Sequence, residues 1–192
     1  MILWKTLFFR HNRGKNEQLC TEYGLCDYIR TQEDAGVREM CYGLGHMAYN
    51  GCEVIACHHA LLSFGIPSRL WQTADFFERH GIWLLGLFGT YPHALFRFCR
   101  SHGLVYRRYH VPILAEKRKL FSSPGEDVVL YSYWNTGFRG IHTVELHRTP
   151  GGYMVTNVRR LYRVRFATMG DALRAIRTPM PILCLGLKKV IE

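Results

Sequence analysis

The hydrophobic pattern changes its period at about residue 104, and this change constrains the fold more than any other feature of the chain. Before it, apolar residues recur at helical spacing, as in Val54, Cys57, Leu61 and Phe64. After it, short segments rich in valine and aromatic residues are separated by turn signals, as strands are. Helices first and antiparallel strands later predict an α+β fold.

The helices and strands can be predicted from this pattern and from their start and stop signals. Asn50 is predicted to cap the first helix, and Gly65 with Pro67 to end it. Helices are predicted at Gly51–Phe64, Ser68–His80, Pro92–Ser101 and Thr168–Ile176. Strands are predicted at Leu104–Val111, Val128–Trp134, Gly140–His147, Tyr153–Val158, Leu161–Phe166 and Ile182–Val190.

Residues 1–45 precede this pattern, and residues 11–45 are polar and contain five glycines, so any helix there is predicted to be short. We interpret residues 1–45 as an N-terminal extension or lid without an assigned role. Residues 46–192 are predicted to form the main domain, with a helical part at 46–103 and a sheet part at 104–192. We expect neither a secretory signal nor a membrane-spanning run.

Net charge and cysteine content indicate which binding partners and which cellular compartment to expect. The formal charge is +10, but the basic residues are spread out, which favours a solvated surface over a nucleic-acid groove. The seven cysteines are odd in number and irregularly spaced, so we expect free thiols and a cytoplasmic setting. Cys57, His58 and His59 are consecutive and point in different directions from a helix, so no metal site and no cofactor are predicted. The oligomeric state stays open.

Cys52 is the candidate nucleophile. It lies in the predicted first turn of the first helix, where free backbone N–H groups and the helix dipole stabilise a thiolate. Gly51 beside it would let a substrate backbone approach. Without a base, however, a cysteine in a helix is usually a small apolar residue.

His142 is the candidate base, and Asn157 its candidate partner. A hairpin that turns on Pro150 and Gly151 places His142 opposite Arg159, with Asn157 diagonally offset on the same face. Such neighbours are about 7–8 Å apart at the backbone, within reach of long side chains. The amide oxygen of Asn157 is expected to hold one imidazole nitrogen and leave the other for the thiol.

A helix-opening cysteine, a later His-x-Val strand and an asparagine fifteen residues further on resemble the papain-like cysteine peptidases. The closest resemblance is to compact bacterial forms, such as the double-glycine leader peptidase domains of bacteriocin exporters. Gly89-Thr90-Tyr91-Pro92, before a helix that stops at Gly103, also resembles their second helical segment. The resemblance covers residues 46–190. It implies a nucleophile helix packed on an antiparallel sheet, with Cys52, His142 and Asn157 as the catalytic triad.

The oxyanion hole is where the chain departs from that family. The family usually has a glutamine six residues before the cysteine, and this chain has His46 there. His46 and Asn50 are the candidate donors, and a third possibility is the backbone N–H of Cys52 with another group. Trp134 is a candidate for the substrate groove, together with Gly51. Glu53 and Glu145 are expected to be a first-turn acid and a solvated residue.

The sequence therefore predicts a thiol-dependent hydrolase that cleaves a peptide or amide bond in a peptide or protein substrate. Two alternatives stay open. The first is a related acyl transferase, which would use the same triad. The second is a catalytically inactive papain-like module that binds acidic polymers through its basic surface.

Overall fold

The structure is a computed structural model that describes most of the chain. The described residues are 2–82, 84–86, 89–91, 93–109, 126–134, 140–162, 164–176 and 180–189. Within them the protein combines helices with an antiparallel sheet, which confirms the α+β class. No helix among these residues has the length and apolar character that crossing a membrane requires.

The chain begins with a long helix, α1 (Ile2–Tyr23), so the prediction that any helix in this region would be short is wrong. Its buried stripe consists of Asn12, Asn16 and Cys20, each one turn apart. Two of these are amides, so the stripe gives no hydrophobic signal. Asn16 instead pairs with both backbone groups of Cys41, at 2.7 and 2.8 Å.

The segment after α1 forms a small two-stranded sheet and then a single helical turn. Its elements are β1 (Cys41–Tyr42), β2 (Gly45–His46) and α2 (Met47–Asn50). Val37, Met40 and Tyr42 are fully buried in the same hydrophobic cluster as the main helices. Residues from the N-terminal region of 1–45 therefore contribute to the core of the protein.

Three helices follow close to their predicted positions. They are α3 (Cys52–Ser63), α4 (Leu70–His80) and α5 (His93–Ser101). α3 is buried over most of its surface. Ser63, in its last turn, donates to Glu145 of the sheet at 2.7 Å, so the helix lies across the sheet.

In the described residues, six antiparallel strands form the main sheet. They are β3 (Leu104–Tyr109), β4 (Val128–Trp134), β5 (Ile141–Thr149), β6 (Gly152–Thr156), β7 (Arg165–Phe166) and β8 (Met180–Lys189). The spatial order is β3-β8-β4-β5-β6-β7. The last strand therefore lies inside the sheet, between β3 and β4.

The hairpin of β5 and β6 has the predicted register, with Glu145 opposite Thr156 and Thr149 opposite Gly152. The pairing ends at Thr156, so the predicted pair of His142 with Arg159 does not form. The predicted strand at Leu161–Phe166 is wrong over its first part. Residues Arg159–Leu161 form a 3-10 turn, and only Arg165–Phe166 pair with β6. The ends of the predicted strands at residues 110–111 and 190 lie outside the described residues.

The two faces of the sheet carry separate cores. Leu130, Leu185 and Leu187 pack against the α3, α4 and α5 side. Val144 and Leu146 lie on the other face, in a cluster with residues of α6 (Met169–Ile176). Because β5 alternates, Thr143 and Glu145 face α3, whereas His142 shares the face of Val144.

Candidate functional site

Cys52 is the first residue of α3, and its helix is capped differently from the prediction. Asn50 ends the preceding turn, α2, and Gly51 is the N-cap residue, without a side-chain hydrogen bond. The Gly51 carbonyl accepts from Ile55 at 3.0 Å, which starts the helix. Asn50 is therefore not the cap, because its backbone is already helical.

The Cys52 sulfur lies against the start of β5. It donates to the Ile141 carbonyl at a distance of 3.6 Å, and Thr143 hydrogen bonds reach it from the same strand. Burial raises the pKa of the Cys52 thiol, although hydrogen bonds from Thr143 and from the Glu53 backbone oppose this. The resting thiol is therefore neutral rather than the thiolate expected from a helix start.

His142 is held by the backbone of Asn157. Its Nε2 lies 2.9 Å from the Asn157 carbonyl oxygen, and its ring contacts Tyr133 edge-on, at 5.6 Å between centroids. A carbonyl can only accept, so Nε2 carries the proton and, in the neutral ring, Nδ1 keeps its lone pair. Burial lowers the pKa of His142, and the Asn157 carbonyl partly counters this.

Asn157 lies just beyond β6 and is nearly fully buried. Its φ is +61°, in the left-handed region that asparagine tolerates better than most residues. The side-chain nitrogen donates to the Thr143 carbonyl at 3.1 Å and the Cys52 carbonyl at 3.3 Å. Its amide oxygen has no hydrogen-bond partner among the described residues. The predicted contact from the amide oxygen to the imidazole is therefore wrong, since the backbone oxygen makes it.

The three triad candidates converge on one end of β5. Asn157 contacts both of the others, through its own backbone to His142 and its side chain to Cys52. Cys52 and His142 share no hydrogen bond in the described part of the chain, because the sulfur approaches β5 on the Thr143 face. A direct thiol–imidazole contact therefore requires the two side chains to come closer together than they are in this structure.

Neither oxyanion candidate hydrogen bonds to the sulfur in the part of the chain that the structure describes. His46 is exposed, pairs with Cys41 through its backbone in β2, and makes no side-chain hydrogen bond within the described ranges. Asn50 donates its side-chain N–H to the Gly86 carbonyl, which occupies that donor.

The two groove candidates have different surroundings. Gly51 is buried, and a Cβ there would lie 2.6 Å from the Met47 carbonyl oxygen and 2.8 Å from its side chain. Internal packing therefore explains this glycine without a substrate. Trp134 ends β4 opposite Ile141, and both side chains are exposed, at 41% and 50%. The loop after Trp134, residues 135–139, lies outside the described residues.

Two carboxylates near the site have buried oxygens. Glu53 is half-buried and is the first-turn acid that the sequence predicts, whereas Glu145 was expected to be solvated. One oxygen of Glu53 is enclosed without a partner among the described residues, and burial raises the pKa of this carboxyl well above its ordinary value. Glu145 is fully buried and accepts from Ser63, His147 and Thr156. Alternation along β5 correctly places Glu145 on the face opposite to His142. The sequence does not show that α3 covers this face, so the prediction that Glu145 is solvated is wrong.

His58 and His59 are buried in α3 and hold the N-terminal segment. His58 contacts Ser68 and the Asp27 carbonyl, and burial lowers its pKa to about 4. His59 accepts from the Ile29 backbone N–H at 2.8 Å. Among the described residues, no cluster of three histidine, cysteine or acidic side chains has the arrangement of a metal site. Each of the seven cysteines, all of them described, is a free thiol.

Comparisons with known proteins add no relative to this geometry. No protein-family model matches the chain, and neither the curated proteins nor the solved structures contain a match.

Proposed function

We propose that this protein is a thiol-dependent hydrolase that cleaves a peptide or amide bond through an acyl-enzyme on Cys52. The observation that carries the proposal is the Asn157 carbonyl, 2.9 Å from His142 Nε2. It assigns the proton to Nε2 and leaves Nδ1 as the base. The sulfur contacts Ile141 and Thr143, the two neighbours of His142 in β5, from the face opposite to the His142 side chain.

In this mechanism the Cys52 sulfur and the His142 ring come within hydrogen-bond distance when the substrate binds, and Nδ1 removes the Cys52 proton as sulfur attacks the substrate carbonyl carbon. The resulting imidazolium returns its proton to the leaving amine as the C–N bond breaks. Water then attacks the thioester, with the same nitrogen accepting its proton, and the thiol is restored. Because the Cys52 pKa is raised and the His142 pKa lowered, the resting pair is neutral and the proton moves during attack.

The test is the rate at which each cysteine reacts with a small excess of iodoacetamide, located by mass spectrometry. Exposed Cys26 is the internal reference, since it has the same chemistry outside the site. We expect Cys52 to react faster than Cys26 near neutral pH, and His142→Ala to slow Cys52 about a hundredfold. Equal rates for the two cysteines, or an unchanged rate in His142→Ala, would exclude the proposal.

A second candidate is a papain-like binding module without catalysis, and the state of the oxyanion residues favours it. Asn50 donates to the Gly86 carbonyl, and His46 makes no hydrogen bond to the sulfur among the described residues. In this case Cys52 reacts no faster than Cys26, and the chain, at +10, binds heparin or nucleic acid at physiological salt. Reactive Cys52 with no such binding contradicts it.

A further inference from the structure

The residue before Asn157, Thr156, belongs to a buried polar network that connects α3 with the sheet. Its hydroxyl oxygen lies 2.7 Å from His59 Nδ1 and 3.0 Å from a carboxylate oxygen of Glu145. Thr156, His59 and Glu145 are all nearly or fully buried, at 3%, 0% and 0% exposure. These contacts are therefore not exchanged with water in the folded chain.

The direction of each hydrogen bond in the network follows from its donors. The Ile29 backbone N–H can only donate, so His59 Nε2 accepts it at 2.8 Å. The neutral His59 ring then carries its proton on Nδ1 and donates to Thr156. The Thr156 hydroxyl proton is left for Glu145, which also accepts from Ser63 and His147. One consistent arrangement results, with Thr156 at its centre.

The network ends where the candidate site begins. Thr156 fixes the last position of β6, and the next residue, Asn157, turns into the left-handed region with its carbonyl toward His142. Asn157 also binds α3 through the Cys52 carbonyl. The two residues thus attach to α3 at both His59 and Cys52, and any shift of Thr156 moves the oxygen that holds the imidazole.

We propose that Thr156 is a positioning residue for the His142 imidazole, acting through the Asn157 carbonyl. It touches neither the sulfur nor a substrate in this role. The expected effect of Thr156 on the rate of Cys52 alkylation rests on the proposed function. The effect of Thr156 on the imidazole can be measured independently of any activity.

The test compares Thr156→Val with Thr156→Ser. Valine has the same shape without the hydroxyl, whereas serine keeps the hydroxyl. In ¹⁵N-labelled wild type we expect the His142 Nε2–H signal to be protected from exchange with water, and His142→Ala assigns it. Thr156→Val should lose this protection, lower the His142 pKa further, and slow Cys52 alkylation about fivefold, the effect of one net hydrogen bond. Thr156→Ser should keep the Nε2–H protection, the His142 pKa and the rate of Cys52 alkylation at their wild-type values.

Ser63→Ala is the matched control, because it also removes a donor to Glu145 but lies at the far end of the network from Asn157. It should lower stability and leave the His142 signal and titration as in the wild type. A folded Thr156→Val with wild-type His142 protection and titration overturns the proposal. So does a Ser63→Ala protein that changes them equally, since the effect is then merely structural.

If Thr156→Val does not fold, Glu145→Gln provides the second test. Glutamine keeps the size of the acceptor but removes its charge. Glu145→Gln should therefore lower the His142 pKa, as Thr156→Val does, but by a smaller amount. An unchanged His142 pKa overturns the proposal. If wild-type Cys52 is unreactive, the proposed function fails, while the His142 signals still decide the role of Thr156.

Discussion

The Asn157 carbonyl oxygen accepts the Nε2–H of His142 at 2.9 Å, from a residue whose φ is +61°. Backbone conformation, rather than a side-chain group, therefore orients the candidate base. The Asn157 side chain has a separate task, since it ties the Thr143 and Cys52 carbonyls together.

These two tasks can be separated by replacing Asn157 with glycine and with alanine. Asn157→Gly removes the side-chain donors but adopts the positive φ without strain. We expect it to lose about 1–2 kcal/mol of unfolding free energy while keeping the pH profile of Cys52 alkylation. Asn157→Ala should be about 1 kcal/mol less stable than the glycine variant, because alanine is strained at this φ.

Urea unfolding followed by circular dichroism measures the stabilities, and iodoacetamide labelling from pH 5 to 9 measures the profile. If Asn157→Gly folds stably but loses the wild-type pH dependence of Cys52 alkylation, the Asn157 side chain, and not its backbone carbonyl, orients His142.

Glu78 of α4 should make the protein less stable as the pH rises. One of its oxygens accepts from Asn12 at 2.7 Å and from the Gly43 N–H at 2.8 Å, and the other is buried without a partner in the described ranges. Burial raises its pKa to about 7 from 4.5, against the effect of these hydrogen bonds. The folded state keeps the proton longer than the unfolded chain, so the stabilisation present below pH 4.5 is lost as the pH rises to about 7.

That change corresponds to about 3 kcal/mol, and Glu78→Gln should abolish it because glutamine has no proton to lose there. Urea unfolding free energies at pH 4.5 and 7.5 measure the difference. Glu22→Gln, at the exposed end of α1, is the control and should keep the wild-type pH dependence. A Glu78→Gln protein with the full wild-type difference would contradict the assignment.

Helices α3 to α6 and the hairpin could be predicted because local signals determine them. A two-residue turn at Pro150 and Gly151 fixes the register, so Glu145 opposite Thr156 followed from the turn alone. α1 could not be predicted, because two of the residues on its buried face are the hydrogen-bonded amides Asn12 and Asn16. Apolar residues therefore do not recur at helical spacing in this part of the sequence.

The positions of the candidate site residues could be predicted from the sequence only for those that lie in a helix or a strand. Cys52 at a helix start and His142 on a strand follow from periodicity. Asn157 lies beyond the end of β6, where alternation no longer applies and a positive φ redirects the backbone. The burial of Glu145 depends on α3 crossing the sheet, which is a contact between residues distant in sequence.

Gly51 should be required for packing, whatever the chemistry of Cys52. A methyl group there would lie 2.6 Å from the Met47 carbonyl oxygen, which cannot move without breaking α2. We expect Gly51→Ala to cost about 1–3 kcal/mol of unfolding free energy. The control is Gly14→Ala in α1, where a Cβ meets nothing within 4 Å, and which should add about 0.5–1 kcal/mol. A Gly51→Ala protein as stable as the wild type would contradict the packing role.

His147 should stabilise the fold at acidic pH and lose this effect as the pH rises. Burial acts to lower its pKa, but the hydrogen bond and charge of Glu145, at 3.0 Å, outweigh it, so the His147 pKa is raised above 6.5. Tyr28 and His59 face the same cluster, and His59 is neutral because burial holds its pKa well below the ordinary value. The stabilisation is therefore complete below pH 6.5 and disappears as the pH passes the raised pKa.

His147→Gln keeps a donor for Glu145 but cannot carry the charge. At pH 6 it should be about 2 kcal/mol less stable than the wild type, the usual value for a hydrogen bond to a charged group. The difference should shrink toward pH 9, as measured by urea unfolding at both values. His80→Gln, at the exposed end of α4, is the control and should show no such trend. A His147→Gln deficit that stays constant from pH 6 to 9 would mean that His147 stabilises the fold through packing rather than through its charge.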